Sequence, residues 1–140
     1  MKNVKTLLVT FILSSVLLFA GCGGDTSTPD NPQDGGTFTR LSPTELQNMK
    51  NEKDFPLVNV HIPFAGNIPG TDLSIPYNEI EQNLGQLPAD KDANIVLYCQ
   101  GGPMSFDAAE TLVGLGYTNV SDLNGGMEAW QRAGFQLKGI

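Results

Sequence analysis

The chain is expected to fold as an α/β layer structure on a mainly parallel sheet, and three features of its sequence carry that expectation. Ile95-Val96-Leu97-Tyr98 is an unbroken apolar run, the pattern of a strand buried on both faces. Directly after it, Ala108, Ala109, Leu112, Val113 and Leu115 recur at helical spacing. Extended and helical patterns alternate elsewhere in the same segment, as they do when helices connect the strands of a parallel sheet.

In chain order, Ser42-Pro43-Thr44-Glu45 is a capping box with proline at the first helical position, which predicts a short helix from Pro43 to about Met49. Leu57-Val58-Asn59-Val60 follows as a strand. A second extended piece, Leu73-Ser74-Ile75, is closed by Pro76, and Tyr77 to Leu84 reads as helical. After the strand at 95–98 comes a helix opened by Ser105 and stopped by Gly116. Asn119 to Leu123 forms a last strand and Met127 to Ala133 a last helix, with Trp130 as its apolar anchor in the core.

Residues 1–21 have the organisation of an export signal: Lys2 and Lys5 precede an almost wholly apolar stretch from Leu7 to Phe19. That stretch falls short of the roughly 20 residues of a spanning helix. It ends in Phe19-Ala20-Gly21-Cys22, which resembles the bacterial lipobox and makes Cys22 the expected lipidation site. Residues 22–36 are rich in Gly, Ser, Thr, Pro and Asp, the composition of a flexible tether, and 37–140 form one domain. The expected location is the cell envelope, facing the periplasm. Gly23-Gly24 lacks the Asp associated with inner-membrane retention, so the outer membrane is favoured.

The formal net charge is −7, and without Lys2 and Lys5 it becomes −9. No cluster of Lys or Arg exists to neutralise phosphates, which excludes nucleic acid as a partner. With Cys22 acylated, Cys99 has no intramolecular partner, so a disulfide framework is not expected. No metal or organic cofactor is expected, and the domain is read as a monomer.

Cys99 lies where the strand at 95–98 breaks into Gln100-Gly101-Gly102-Pro103-Met104 and then into a helix. The glycines allow a tight loop with inward backbone N–H groups, and the helix N-terminus adds partial positive charge. Both favour an anionic sulfur, so an exposed, activated thiol is expected, with Gln100, Gly101, Gly102, Pro103, Met104 and Ser105 as its binding loop.

From about Phe55 to Leu137 the sequence resembles the rhodanese-like domain, the sulfurtransferase fold. Leu57-Val58-Asn59-Val60 corresponds to the strand that usually ends in Asp-Val-Arg, and Gly66-Asn67-Ile68-Pro69-Gly70 to the Gly-His-Ile-Pro-Gly turn. Leu73-Ser74-Ile75-Pro76 corresponds to the next strand. Ile95 to Cys99 matches the strand and active-site cysteine, and Gly125-Gly126-Met127-Glu128-Ala129-Trp130 the terminal Gly-Gly-x-x-x-Trp element. The resemblance implies a three-layer fold with a central, mainly parallel five-stranded sheet flanked by helices. It also implies a thiosulfate-type sulfurtransferase or sulfur carrier, with Cys99 as nucleophile and a six-residue loop from Cys99 to Met104. Sulfane sulfur would pass from thiosulfate or a polysulfide through a Cys99 persulfide to a thiophilic acceptor.

The sequence departs from that pattern at the loop. Active members commonly carry Arg directly after the cysteine or near the loop's end, where this chain has Gln100 and Met104. Pro103 removes one backbone donor. Asp-Val-Arg is replaced by Asn59-Val60-His61, and the acidic residue often found before the glycine turn is missing, so both partners of a structural ion pair are absent and a rearranged scaffold contact is expected. His61 is read as a scaffold residue, since a stabilised thiolate needs no general base. The alternative to catalysis is a binding or redox-sensing module that keeps the fold. Phosphoryl transfer is set aside, because the sixth position after the cysteine is Ser105 and not a guanidinium.

Overall fold

The computed structural model describes residues 37–139. Five strands form one sheet: β1 (Thr39–Leu41), β2 (Leu57–Asn59), β3 (Leu73–Ser74), β4 (Ile95–Tyr98) and β5 (Val120–Leu123). Their order is β1-β5-β4-β2-β3 and every pairing is parallel. The α/β expectation with a central five-stranded parallel sheet therefore holds. All four residues of β4 are buried, as an apolar run in the middle of such a sheet requires.

Three α-helices cover the sheet: α1 (Pro43–Met49), α2 (Pro103–Gly114) and α3 (Gly126–Arg132). Strand alternation divides the core between its two faces. Val58, Ile95, Leu97, Cys99 and Val120 point to the α2 side and pack with Ala108, Ala109 and Leu112. Leu57, Val96, Tyr98 and Leu123 point to the other side, where they meet Leu46 of α1 and Met127 and Trp130 of α3. Trp130 is buried and its indole N–H donates to the Gln136 carbonyl, which confirms it as a core residue.

The Ser42 capping box is formed in both directions: Glu45 N–H donates to Ser42 Oγ, and Ser42 N–H donates to Glu45 Oε2. Three expectations need correction. β1 was not anticipated; it has only three residues, its first two are exposed, and it exists through pairing with β5. Tyr77 to Leu84 is not an α-helix but two 3₁₀ segments, Tyr77–Glu79 and Glu81–Gln86. There Asn83 leaves helical geometry and its side-chain amide donates to the Glu79 carbonyl, a local bond that competes with the helical ladder. α2 opens at Pro103, two residues before Ser105, because proline suits the first helical turn. Among the described residues no helix is long and apolar enough to cross a membrane. Residues 1–36, with Cys22, the signal and the tether, lie outside the described residues.

Candidate active site

Cys99 follows directly on the C-terminal end of β4, and the alternation of that strand turns it to the α2 side. Gly102, at φ +111°, reverses the chain between β4 and α2, and its N–H donates to Cys99 Sγ at 3.0 Å. Ser105, in the first turn of α2, is fully buried. Its Oγ lies 3.5 Å from Cys99 Sγ and donates to the Gly102 carbonyl at 3.0 Å. The sulfur thus meets one backbone N–H at a helix N-terminus, an arrangement that favours negative charge on it, and the single Ser105 proton is divided between the sulfur and the nearer Gly102 carbonyl.

Of the expected loop residues, Gln100, Gly101 and Pro103 are exposed, and Met104 is half-buried with its side chain packed on the α2-side core. The expected exposure of the thiol is not found: Cys99 is 1% exposed. The loop is pressed inward by α3, whose first turn docks on it. Met127 N–H donates to the Cys99 carbonyl at 2.9 Å and Glu128 N–H to the Gln100 carbonyl at 3.0 Å. Gly126 makes this approach possible. A Cβ there would stand 2.3 Å from the Cys99 carbonyl oxygen and 2.6 Å from that of Gln100, at a φ of +55°.

Two charged residues at the site were not singled out from the sequence. Glu128 reaches over the loop's outer side, where Gln100 Nε2 donates to its Oε1 at 3.5 Å and its carboxylate stands 3.8 Å from where a Gly101 Cβ would be. Asp122 of β5 is fully buried on the α2 side of the sheet. Its Oδ2 lies 3.4 Å from Arg40 Nη2 and its Oδ1 has no hydrogen-bond partner. Burial pushes its carboxyl above the usual range, against the opposing pull of the Ser105 hydroxyl and the Arg40 guanidinium. The signal for Asp122 was present: an acid two residues after Val120 in a strand shares Val120's buried face.

Where the rhodanese pattern has Asp-Val-Arg, buried Asn59 builds a neutral network. Its amide donates to the Gly66 carbonyl at 3.0 Å and to Asn67 Oδ1 at 2.9 Å, and its Oδ1 accepts from His61 N–H at 3.0 Å. Tyr98 extends the network, donating to Asn67 Oδ1 and accepting from the Ile68 N–H, with Thr71 Oγ1 2.6 Å away. The sequence led to the expectation of a rearranged scaffold contact here, and the structure shows it as this neutral network. His61 contributes its backbone to it, and its Nδ1 is buried without a partner. Among the described residues no three His, Cys, Asp or Glu side chains converge as a metal-ligand set.

The chain belongs to the rhodanese-like domain family, which matches residues 42–133. It is similar to a sulfurtransferase of Allochromatium vinosum, 33% identical over an alignment of 94 residues that covers 65% of this chain and 85% of that protein. Among solved structures it resembles a rhodanese-like domain protein from Staphylococcus aureus at 30% identity and a TM-score of 0.60, covering 72% of this chain and 99% of that one. It also resembles a possible tyrosine phosphatase from Rhodopseudomonas palustris at 27% identity and a TM-score of 0.62, covering 72% and 85%. The fold supports sulfur-transfer chemistry as the class of reaction.

Proposed function

We propose that this protein is an envelope-located sulfurtransferase or sulfur carrier in which Cys99 holds sulfane sulfur as a persulfide. The observation that carries the reading is the Gly102 N–H aimed at Cys99 Sγ from the N-terminus of α2. The Cys99 thiolate attacks the outer sulfur of the donor; a new S–S bond forms and the donor's bond breaks, its remainder leaving with the electron pair. A thiophilic acceptor, such as a thiolate, then attacks the terminal sulfur and Cys99 departs as thiolate. The helix terminus and the Gly102 N–H favour negative charge on sulfur at both stages.

The charge at the loop argues about the donor. No arginine stands in it, and the Glu128 carboxylate sits beside Gln100 and Gly101. That carboxylate, paired only at 3.8 Å with Arg132, disfavours a dianion such as thiosulfate, so a thiol-borne persulfide with a single negative charge is the better substrate. A phosphatase role is disfavoured because the sixth residue after Cys99 is the buried Ser105 and no guanidinium is bonded in the loop. The burial of Cys99 favours a second reading, a redox- or sulfur-sensing module without turnover. The lipobox-like ending at Cys22 supports an anchored, periplasm-facing location.

Incubating the full chain with a small alkyl persulfide and, separately, with thiosulfate tests the reading. Mass analysis of the Cys99 peptide should find one added sulfur with the alkyl persulfide and less with thiosulfate, and transfer to a small thiol should remove it. No uptake from either donor, while Cys99 remains reactive to alkylation, would sink the sulfurtransferase reading; stable uptake without transfer would favour the sensor.

A further inference from the structure

Cys99 is packed among the α2-side core, so a donor comes to the sulfur past the loop. From Cys99 to Ser105 the loop has no charged side chain of its own, and α3 lays two charges on it. Glu128 is the first: its carboxylate stands beside Gly101 and accepts from the Gln100 amide on Oε1. Arg132, one turn further along α3, is the second. Its Nη2 lies 3.4 Å from where a Gly125 Cβ would be, so a glycine at 125 leaves the guanidinium its place. The Gly125 nitrogen in turn lies 3.4 Å from the Cβ position of Gly102, the residue whose N–H donates to Cys99 Sγ.

The two charges are only loosely paired. Arg132 Nη1 and Glu128 Oε2 are 3.8 Å apart, beyond hydrogen-bond reach, and the side chains are 68% and 51% exposed. An exposed pair of this kind is held weakly, so each charge stays available to a better partner. The described residues contain one other arginine, Arg40, and buried Asp122 holds it on β5. Arg132 is therefore the guanidinium of this site, supplied by α3 and not by the loop.

We propose that Glu128 and Arg132 select the carrier of the donated sulfur, and that the carrier's head bears an ammonium beside a carboxylate, as an α-amino acid does. The carboxylate bonds the Arg132 guanidinium through two N–H groups, and the ammonium donates to Glu128 Oε2. Such a head fits an i, i+4 pair because its two charges, bonded to one carbon, stand side by side as those of the protein do. It adds no net charge, so a persulfide on this carrier keeps the single negative charge that suits a loop beside Glu128, whereas a carboxylate alone would bring a second. This selection rests on the proposed transfer from a thiol-borne persulfide to Cys99 and adds the class of thiol. Glu128 and Arg132 determine specificity and take no part in breaking or forming S–S bonds.

The test compares sulfur uptake by Cys99 in the full chain from cysteine persulfide and from ethyl persulfide, which carry the same net charge near neutral pH. Wild type should favour cysteine persulfide about tenfold in kcat/KM, the combined effect of two exposed charge contacts. Glu128→Gln combined with Arg132→Gln keeps the net charge of the protein and should bring that ratio close to one. Alone, Arg132→Gln should shift preference toward the persulfide of cysteamine, which lacks the carboxylate, and Glu128→Gln toward that of mercaptopropionate, which lacks the ammonium. Both side chains are exposed, so these substitutions leave the core intact. A wild-type ratio near one, or a ratio that survives in the double variant, would overturn the proposal. A second readout needs no sulfur transfer: S-methylcysteine should slow iodoacetamide alkylation of Cys99 in wild type and not in the double variant, and uncharged ethyl methyl sulfide should slow it in neither. If neither persulfide is taken up, protection by S-methylcysteine would leave the head site standing while the sulfurtransferase reading fails, and no protection would overturn both.

Discussion

Glu128 and Gln100 set the charge at the loop's outer side, and their pairing changes which substitution restores a thiosulfate site. An arginine at position 100 would meet the Glu128 carboxylate at once, because Gln100 already bonds it. An arginine at 104 would have to leave the core packing that Met104 makes. Removing the repelling charge is the cleaner change. Glu128→Gln is expected to raise kcat/KM for thiosulfate about three- to tenfold at low ionic strength, with the gain shrinking at high salt. Steady-state sulfite release in both conditions checks this, and a gain insensitive to salt would argue against the electrostatic account. The missing arginines were legible in the sequence, whereas the carboxylate was not: Glu128 is 28 residues from Gln100 and reaches it only because α3 docks on the loop.

At the scale of elements, the β4 loop is shaped as much by α3 as by its own residues. The first turn of α3 bonds the carbonyls of Cys99 and Gln100, and only a glycine at 126 leaves room for those oxygens. Gly126→Ala is expected to cost about 3 kcal/mol from overpacking and backbone strain together, and to weaken sulfur uptake with it. Gly114, at the end of α2, has nothing near its Cβ position, so Gly114→Ala should be neutral or stabilise by about 0.5–1 kcal/mol. Urea unfolding of both variants compares close approach with free space. Periodicity and capping chemistry placed α1, β4 and α2 within two residues, because those signals are local. β1 and the 3₁₀ segments escaped because pairing with β5 makes the first and a single side-chain bond at Asn83 breaks the second.

The whole molecule carries two aspartates whose titration pulls stability in opposite directions. Asp72 is raised by burial but lowered more by Lys53 and by the Leu57 N–H, so its carboxyl is held below the usual 3.8. Its stabilisation is present above that value and lost as pH falls through the folded value. Asp122 is held above 3.8, so its contribution is fully present below that value and lost as pH rises through the folded value. Thermal unfolding between pH 3 and 8 should therefore show Asp72→Asn losing most at neutral pH and converging on wild type in acid. The Tm of Asp122→Asn relative to wild type should rise steadily as pH increases. Curves for Asp122→Asn and wild type that run parallel across this range would show that the buried carboxyl does not titrate with folding. By itself, the sequence determined the α/β class, the family resemblance and the place of Cys99 at a strand end, since apolar period, turn residues and short motifs are all written locally along the chain. Only the tertiary structure decided that the sulfur is buried, that Glu128 stands over its loop and that Asp122 lies on its face of the sheet. Those three facts depend on which strands pair and which helix end docks where, and distant residues acquire that geometry only when the sheet assembles.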